Sequence, residues 1–217
     1  MAESDVQGSI KLTLEDLLSG NVIAEKKGAG PGDDVVVLGG HYDSVSGIAG
    51  TNDNASGTAV LLAIAHKLAN VDLPLTLRFV PFGSEELGLL GSQYYVGALT
   101  DKERGNIKAM LNFDALGSGS GTRVFGSDEL TELIKVTEGE AGVEIAVADA
   151  MSGGTSDFAS FQNAGVPYLM FYGDDLTRIH SGRDTIEFVQ PELLESAVAA
   201  AMTLLQSPEF AEFVESE

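Results

Sequence analysis

Apolar runs along the chain are repeatedly followed by polar residues. Residues 35 to 38, 75 to 82, 109 to 113 and 168 to 172 are rich in apolar side chains, which is typical of strands buried in a sheet. Between the first two runs, residues 55 to 68 carry apolar positions at helical spacing, after Asp, Asn and Ser as cap residues. The alternation predicts an α/β fold: a three-layer α/β/α sandwich with a mixed, mostly parallel central sheet.

Further segments extend the pattern in both directions. Strands are predicted at residues 9 to 15, 22 to 26 and 143 to 147, and the strand of the run 168 to 172 is predicted over residues 166 to 171. Helices are predicted from near Glu85 and over residues 129 to 140, 158 to 163 and 191 to 205. The glycine-rich stretches 28 to 32 and 117 to 121 are interpreted as loops. A chain of 217 residues without a visible linker is expected to form one domain over residues 1 to 217, with residues 1 to 20 as a peripheral strand and lead-in.

Potential metal ligands follow four of the apolar runs. They are His41 after residues 35 to 38, Glu85 and Glu86 after 75 to 82, Asp114 after 109 to 113, and His180 beyond 168 to 172. Open α/β sheets place their active crevice beyond the carboxyl ends of the strands, where such residues converge. Asp53, at the start of the first helix, can return to the same crevice and bridge two cations. This pattern predicts a two-metal hydrolase.

Each of these residues also has an ordinary structural explanation. His41 and His180 are consistent with ordinary loop histidines, and Asp53 is consistent with a helix cap. The two glutamates are consistent with the first turn of a helix, and Asp114 with a turn residue. Two adjacent carboxylates after an apolar strand fit this explanation less well, because neighbouring side chains point in different directions and can serve as ligand and as base. The ordered pattern of all the residues together favours the metal site.

Composition narrows the classes of partner. The 33 acidic residues against 12 basic ones give a formal net charge of -21, which disfavours nucleic acid and anionic membrane surfaces and favours solubility, with high-salt adaptation as a weaker alternative. The absence of cysteine excludes disulfides and thiolate zinc sites, so a metal must be held by imidazole and carboxylate. The chain shows no signal peptide and no membrane-length apolar stretch. Secretion is favoured if the chain is a trimmed mature form, and a cytoplasmic location otherwise.

Six segments carry a family signature in their order and spacing: GGHYDS, GTNDNASGTA, FGSEELGLLGS, LNFD, GGTSDFASFQNAGVP and IHSGRDT. They resemble the co-catalytic zinc aminopeptidases, which include bacterial leucyl aminopeptidases and the protease domain of glutamate carboxypeptidase II. The resemblance runs from Asn21 to the C-terminal helix and implies a minimal zinc-peptidase catalytic domain. The roles it implies are one zinc on His41 and Asp114, the other on Glu86 and His180, Asp53 as the bridge, and Glu85 as the general base.

The resemblance implies further roles and has gaps. A cis peptide bond is implied between Asp53 and Asn54, and Asp43 is implied as the partner of His41. Relatives commonly have Ser-Asp-His where this chain has Ser156-Asp157-Phe158, and some have tyrosine or arginine where it has Ile179 or Thr155. The oxyanion-stabilising residue is therefore unassigned, with Tyr172 and Tyr42 as candidates. The residues expected beside the metals or the substrate are Asp43, Asn54, Asp157, Phe158, Tyr172 and Asp184.

The expected activity is hydrolysis of the N-terminal peptide bond by water activated between two Zn²⁺ ions, with Co²⁺ or Mn²⁺ as substitutes. The expected partners are peptides with a free N-terminus, and a monomer is favoured over an oligomer. Four apolar side chains near the site segments favour large apolar N-terminal residues. They are Met151, Phe158, Phe161 and Phe171.

Three alternatives stay open. A glutaminyl-cyclase-like transferase would use a single zinc on the same fold. A carboxypeptidase or dipeptidase would need a basic residue for the substrate carboxylate, and Arg178 and Arg183 lie near His180. A binding module without chemistry is disfavoured, because all five ligand positions and the base are filled.

Overall fold

The computed structural model describes residues 19–30, 32–150 and 154–216 of the 217-residue chain. The strand predicted at residues 9 to 15, the lead-in as far as residue 18 and Met151 lie outside the described residues. The described strands are β1 Ala24–Lys26, β2 Val35–His41, β3 Thr76–Phe82, β4 Ile107–Phe113, β5 Thr122–Gly126, β6 Ile145–Val147 and β7 Tyr168–Gly173. The helices are α1 Gly57–Leu68, α2 Leu90–Ala98, α3 Asp101–Gly105, α4 Asp128–Ala141, α5 Phe158–Asn163, α6 Pro191–Gln206 and α7 Pro208–Ser216. An irregular helical turn, Thr51–Ser56, precedes α1, and a 3₁₀ turn, Ile186–Phe188, precedes α6.

These strands form one sheet in the order β1-β3-β2-β4-β7-β5-β6. Neighbours are parallel except for β1 with β3 and β5 with β7. Alternate side chains of β2 enter different cores, since Val36 and Leu38 pack with α1 and α6 whereas Val35 and Val37 pack with α2 and α5. The predicted three-layer sandwich with a mixed, mostly parallel sheet is confirmed. Within the described part of the chain, every helix is too short or too polar to cross a bilayer.

The helix predicted from near Glu85 begins at Leu90 instead. In the segment from Ser84 to Leu89, the residues Ser84, Gly88 and Leu89 have φ values of 58°, 100° and 61°. Left-handed backbone of this kind does not continue a right-handed helix. The adjacent glutamates therefore stand in a tight turn after β3, where their side chains can diverge.

Three short elements were not predicted from the sequence. β5 has five residues after a glycine-rich loop, and α3 is a five-residue helix that begins with a capping box of Thr100 and Glu103. α7 begins at Pro208, after Ser207 has ended α6. Elements of this length present too few apolar positions for their periodicity to be recognised.

Candidate metal centre

The predicted ligands lie at the carboxyl ends of β2, β3, β4 and β7, which are contiguous in the sheet. His41 is the last residue of β2, Asp114 directly follows β4, and Glu86 lies in the turn after β3. His180 lies in the loop after β7, and Asp53 lies in the irregular turn before α1. Because these four strands are parallel, their ends share one edge of the sheet and bring the side chains together.

Two groups of side chains meet at Asp53. Nε2 of His41 lies 3.0 Å from Oδ1 of Asp53 and 3.5 Å from Oδ1 of Asp114. Nε2 of His180 lies 2.9 Å from Oδ2 of Asp53 and 3.2 Å from Oε2 of Glu86. Each oxygen of Asp53 therefore faces a different histidine, which is the arrangement that a bridging carboxylate requires.

Bound metal ions explain the convergence of these nitrogen and oxygen atoms better than hydrogen bonds among the side chains do. In the described residues, Nε2 of His41 and Oδ1 of Asp114 are buried without a hydrogen-bond partner. His41, Asp53 and Glu86 each offer one ligand atom, and these atoms lie within 4.8 Å of one another. Imidazole and carboxylate are suitable zinc ligands, and carboxylates this close repel one another unless positive charge lies between them.

The two histidines differ in their surroundings. The side chain of His41 is 0% exposed, whereas that of His180 is 56% exposed. Burial lowers the pKa of His41, but the nearby carboxylates, Asp114 foremost, outweigh burial and raise the pKa above its ordinary value. Burial also raises the pKa of Asp53. The pocket thus favours positive charge, which bound cations would supply in place of protons.

Asp43 connects His41 to the turn with the two glutamates. Nδ1 of His41 lies 3.1 Å from the backbone carbonyl of Asp43 and 3.5 Å from its Oδ1. Because a carbonyl oxygen only accepts, Nδ1 carries the proton and Nε2 is left free for a metal. The carboxylate of Asp43 accepts the backbone N–H of Glu85 at 3.0 Å and of Glu86 at 3.3 Å. One residue therefore orients the imidazole and holds the turn.

The adjacent glutamates have different environments. Glu86 accepts the backbone N–H of Val45 with Oε1 at 3.1 Å and directs Oε2 to His180. Burial raises the pKa of Glu85 to about 8, with His41 opposing the shift and the neighbouring carboxylates adding to it. Bound cations would lower this pKa. A carboxyl group of this kind can take up and release a proton during a reaction.

Asn54 attaches the turn of Asp53 to the end of β4. Its Nδ2 donates to the carbonyl of Phe113 at 2.9 Å, and its Oδ1 accepts the N–H of Gly57 at 2.8 Å and of Ala115 at 3.3 Å. The peptide bond between Asp53 and Asn54 is cis, as the resemblance implies. The side chain of Asn54 is thus occupied with backbone groups next to the cluster.

Two buried residues that the sequence did not single out hold Asp114. Oγ of Ser156 donates to Oδ2 of Asp114 at 2.7 Å, and Nδ2 of Asn112 donates to Oγ of Ser156 at 2.9 Å. Because Asn112 is the donor in the second bond, the single hydroxyl proton of Ser156 points to Asp114. Oδ2 is therefore engaged and Oδ1 is left for a metal. The available signal was Asn112 itself, a polar residue inside an apolar strand.

Replacing Ser156 by alanine is expected to weaken zinc binding at the position of His41 and Asp114 by roughly 10- to 100-fold, because the carboxylate loses the bond that orients it. Titration of the metal-free protein with zinc against a chromophoric chelator measures the change. Ser156→Thr keeps the hydroxyl and should keep most of the affinity. Unchanged affinity in Ser156→Ala would show that the hydrogen bond plays no part in binding.

Phe158 and Tyr172, expected beside the substrate, belong to a buried aromatic cluster. Phe158 stacks on Tyr168 at 4.8 Å between ring centroids, and Phe158 and Tyr172 both meet Phe125 edge-on. Each of the two is only 6% exposed. Rings packed on several sides have little surface left for a substrate, so the structure gives both residues a packing role.

Asp157 and Tyr42 have contrasting positions. Asp157 is fully buried, and neither of its carboxyl oxygens has a hydrogen-bond partner within the described part of the chain. Burial raises the pKa of Asp157 to about 7. Tyr42 is half-exposed, and its hydroxyl donates to the carbonyl of Gly20 at 2.7 Å. That hydroxyl is already engaged with the chain, which weakens the candidacy of Tyr42 for the oxyanion.

Phe161 and Phe171 lie on opposite faces of the sheet rather than in one pocket. Both are 0% exposed. Phe161 packs with Phe82 and Tyr95, whereas Phe171 stacks on Phe113 at 4.9 Å. These two side chains therefore belong to the cores and do not form the expected apolar pocket.

Comparison with known proteins places this chain among peptidases. The profile of peptidase family M28 matches residues 21–205. Leupeptin-inactivating enzyme 1 of Streptomyces exfoliatus is 40% identical over 163 residues, which cover 73% of this chain and 37% of that protein. Leucine aminopeptidase 2 of Trichophyton equinum is 44% identical over 114 residues, which cover 52% of this chain and 23% of that protein.

A solved structure extends the likeness to the fold. BSAP, a zinc aminopeptidase from Bacillus subtilis, matches with a TM-score of 0.78 and 32% identity, over 85% of this chain and 48% of that one. The chain thus spans about half the length, or less, of the relatives that it matches. The matched region contains every predicted ligand from His41 to His180. The profile match, together with the shared fold, shows that this chain belongs to peptidase family M28.

Proposed function

We propose that this chain is a zinc-dependent aminopeptidase. The observation that carries the proposal is the placement of Asp53, whose two oxygens lie 3.0 Å and 2.9 Å from the histidine nitrogens on either side. One zinc would be held by His41, Asp53 and Asp114, and a second by Asp53, Glu86 and His180, with Co²⁺ or Mn²⁺ as substitutes. The zinc aminopeptidase and the leucine aminopeptidase among the relatives support the same activity.

The metal ions and the side chains would make different contributions to hydrolysis. When bound, two such ions polarise the scissile carbonyl and lower the pKa of a water molecule toward about 7. Glu85 takes the proton from the attacking water and delivers it to the amine of the departing peptide. Asp43 holds the backbone of Glu85, which keeps this carboxyl beside the cluster. The surrounding carboxylates attract the free amino group of a substrate, which favours cleavage at the N-terminal bond.

Large apolar N-terminal residues are the proposed substrates. The name of leucine aminopeptidase 2 supports this preference, whereas Phe161 and Phe171 are buried and do not explain it. Initial rates on a panel of aminoacyl-p-nitroanilides test the preference. A faster rate on acidic or basic residues than on leucine would contradict it.

A carboxypeptidase or dipeptidase activity receives less support. Arg178 pairs with Asp175 at 2.7 Å and lies over the ring of Phe188 at 4.6 Å. Arg183 donates to the carbonyl of Thr177 at 3.2 Å. Both arginines suggested for the substrate carboxylate are thus engaged within their own loop.

The test of the proposed function is zinc content per chain, measured together with leucine-p-nitroanilide hydrolysis before and after chelation. Two zincs and activity that is lost on chelation and returns with zinc are the expected results. One zinc without hydrolysis would favour a glutaminyl-cyclase-like transferase. Neither metal nor activity would favour a binding module.

A further inference from the structure

Asp184 carries a buried carboxylate that binds the backbone next to the proposed bridging ligand. Its Oδ1 accepts the N–H of Asn52 at 2.6 Å, and its Oδ2 accepts the N–H of Asp53 at 3.1 Å. Asp184 is only 2% exposed. It lies more than 130 residues from both partners in sequence, so the two bonds join distant parts of the chain.

The loop that contains Asp184 also contains His180 and is braced internally. The N–H of Asp184 donates to the carbonyl of Ser181 at 3.0 Å. Oγ of Ser181 donates to the carbonyl of Arg178 at 2.6 Å and accepts the N–H of Arg183 at 3.2 Å. These bonds make residues 178 to 184 a compact unit, so His180 and Asp184 change position together.

This unit holds Asp53 at two points. Asp184 binds its backbone N–H, and Nε2 of His180 lies 2.9 Å from its Oδ2. A shift of the loop away from the turn would separate His180 from the shared carboxylate. The bonds of Asp184 therefore set the distance between His180 and Asp53.

The other anchors of the turn lead to β4 and the loop after it. Asn54 binds Phe113 and Ala115, and Asn52 binds Gly117 and Ser118. Of the hydrogen bonds in the described residues, those accepted by Asp184 are the ones that join the turn directly to the loop after β7. Loss of Asp184 would leave the turn attached on the side of His41 and Asp114 and free it on the side of His180.

We infer that Asp184 is a positioning residue for one half of the cluster, the half formed by His180 and Glu86 around Asp53. The inference rests on the proposed function, because it concerns the geometry of one of the two proposed zinc positions. Asp184 touches neither reacting group and acts through the backbone of Asp53. Its loss should therefore affect one zinc position much more than the other.

The experiment uses Asp184→Asn, which keeps the shape but replaces one acceptor oxygen by an NH₂ group that faces a backbone N–H. Titration of the metal-free protein with zinc against a chromophoric chelator should show one site of wild-type affinity and one weakened by roughly 10- to 100-fold. The surviving site should match the one that remains in His180→Ala. Asp184→Glu, which restores both acceptor oxygens, should recover part of the lost affinity.

Asp175→Asn is the matched control. Asp175 lies in the same loop, but its carboxylate accepts only from nearby residues, Thr177 and Arg178, in the described structure. This variant should bind zinc as the wild type does. Two results with Asp184→Asn would overturn the inference while the proposed function stood. One is equal weakening of both zinc sites with lower stability of the metal-free protein, and the other is two sites of unchanged affinity. A wild-type chain without zinc would overturn both.

Discussion

Glu85→Gln is expected to bind zinc as the wild type does and to hydrolyse leucine-p-nitroanilide roughly 10²- to 10⁴-fold more slowly. Glutamine matches the size of glutamate but cannot accept the proton of the attacking water. The change should fall on kcat, with KM little altered, because the substrate itself is still bound. Zinc content and steady-state kinetics on the same preparation measure both quantities.

The control for this substitution is Glu129→Gln, which removes an exposed carboxylate at the start of α4. It removes the same negative charge at a distance from the cluster and should leave kcat unchanged. If Glu85→Gln lost zinc together with activity, Glu85 would be a ligand or a structural support rather than the base. Full activity would show that another group moves the proton.

Zinc is expected to raise the free energy of unfolding by about 4 kcal/mol at a free concentration near 1,000 times the dissociation constant. In the metal-free chain, the carboxylates around Asp53 repel one another, and the pKa values of Asp53 and Glu86 are raised, with burial as the largest cause. Bound cations relieve this repulsion in the folded state alone. Urea unfolding in zinc and in excess chelator measures the difference.

The chain contains three histidines, which supplies an internal comparison. His180→Ala should lose the part of the stabilisation that comes from the zinc position of His180 and Glu86, and keep the part from the position of His41 and Asp114. His66→Ala, at an exposed position of α1 outside the cluster, should retain it. Equal stabilisation of the two variants would show that His180 does not hold zinc.

The strands that bear the site could be predicted because they are buried on both faces. β2 and β4 consist largely of apolar residues, so their positions and their ends were visible in the sequence. His41 and Asp114 stand at those ends. Parallel strands bring their ends to one edge, and this rule was enough to predict that the residues converge.

The resemblance placed Asp43 and Asp184 near the metals, but the bonds by which these residues and Ser156 support the ligands could not be predicted, since they join distant parts of the chain. The bond from Ser156 to Asp114 spans 42 residues, and those of Asp184 to the turn of Asp53 span more than 130. The tight turn after β3 is a related case. Its backbone is held by Asp43, a residue 42 positions before Glu85, so local propensity alone suggested a helix there.

The apolar residues expected to line a substrate pocket show a second limit of prediction from sequence. Phe158, Phe161 and Phe171 lie close in sequence to site residues, yet each is buried in a different core cluster. The sequence alone does not distinguish an apolar side chain that faces the substrate from one that faces the core. The difference arises from which face of a strand or helix it occupies, and that is decided by packing.

The unequal exposure of the two histidines, 0% for His41 and 56% for His180, affects how the protein would respond to its surroundings. With the proposed ligands, one ion would be enclosed by protein, and the other would be open to competing chelators in the medium. With the proposed activity, peptide turnover would then follow the supply of free zinc, while the inner ion stayed bound.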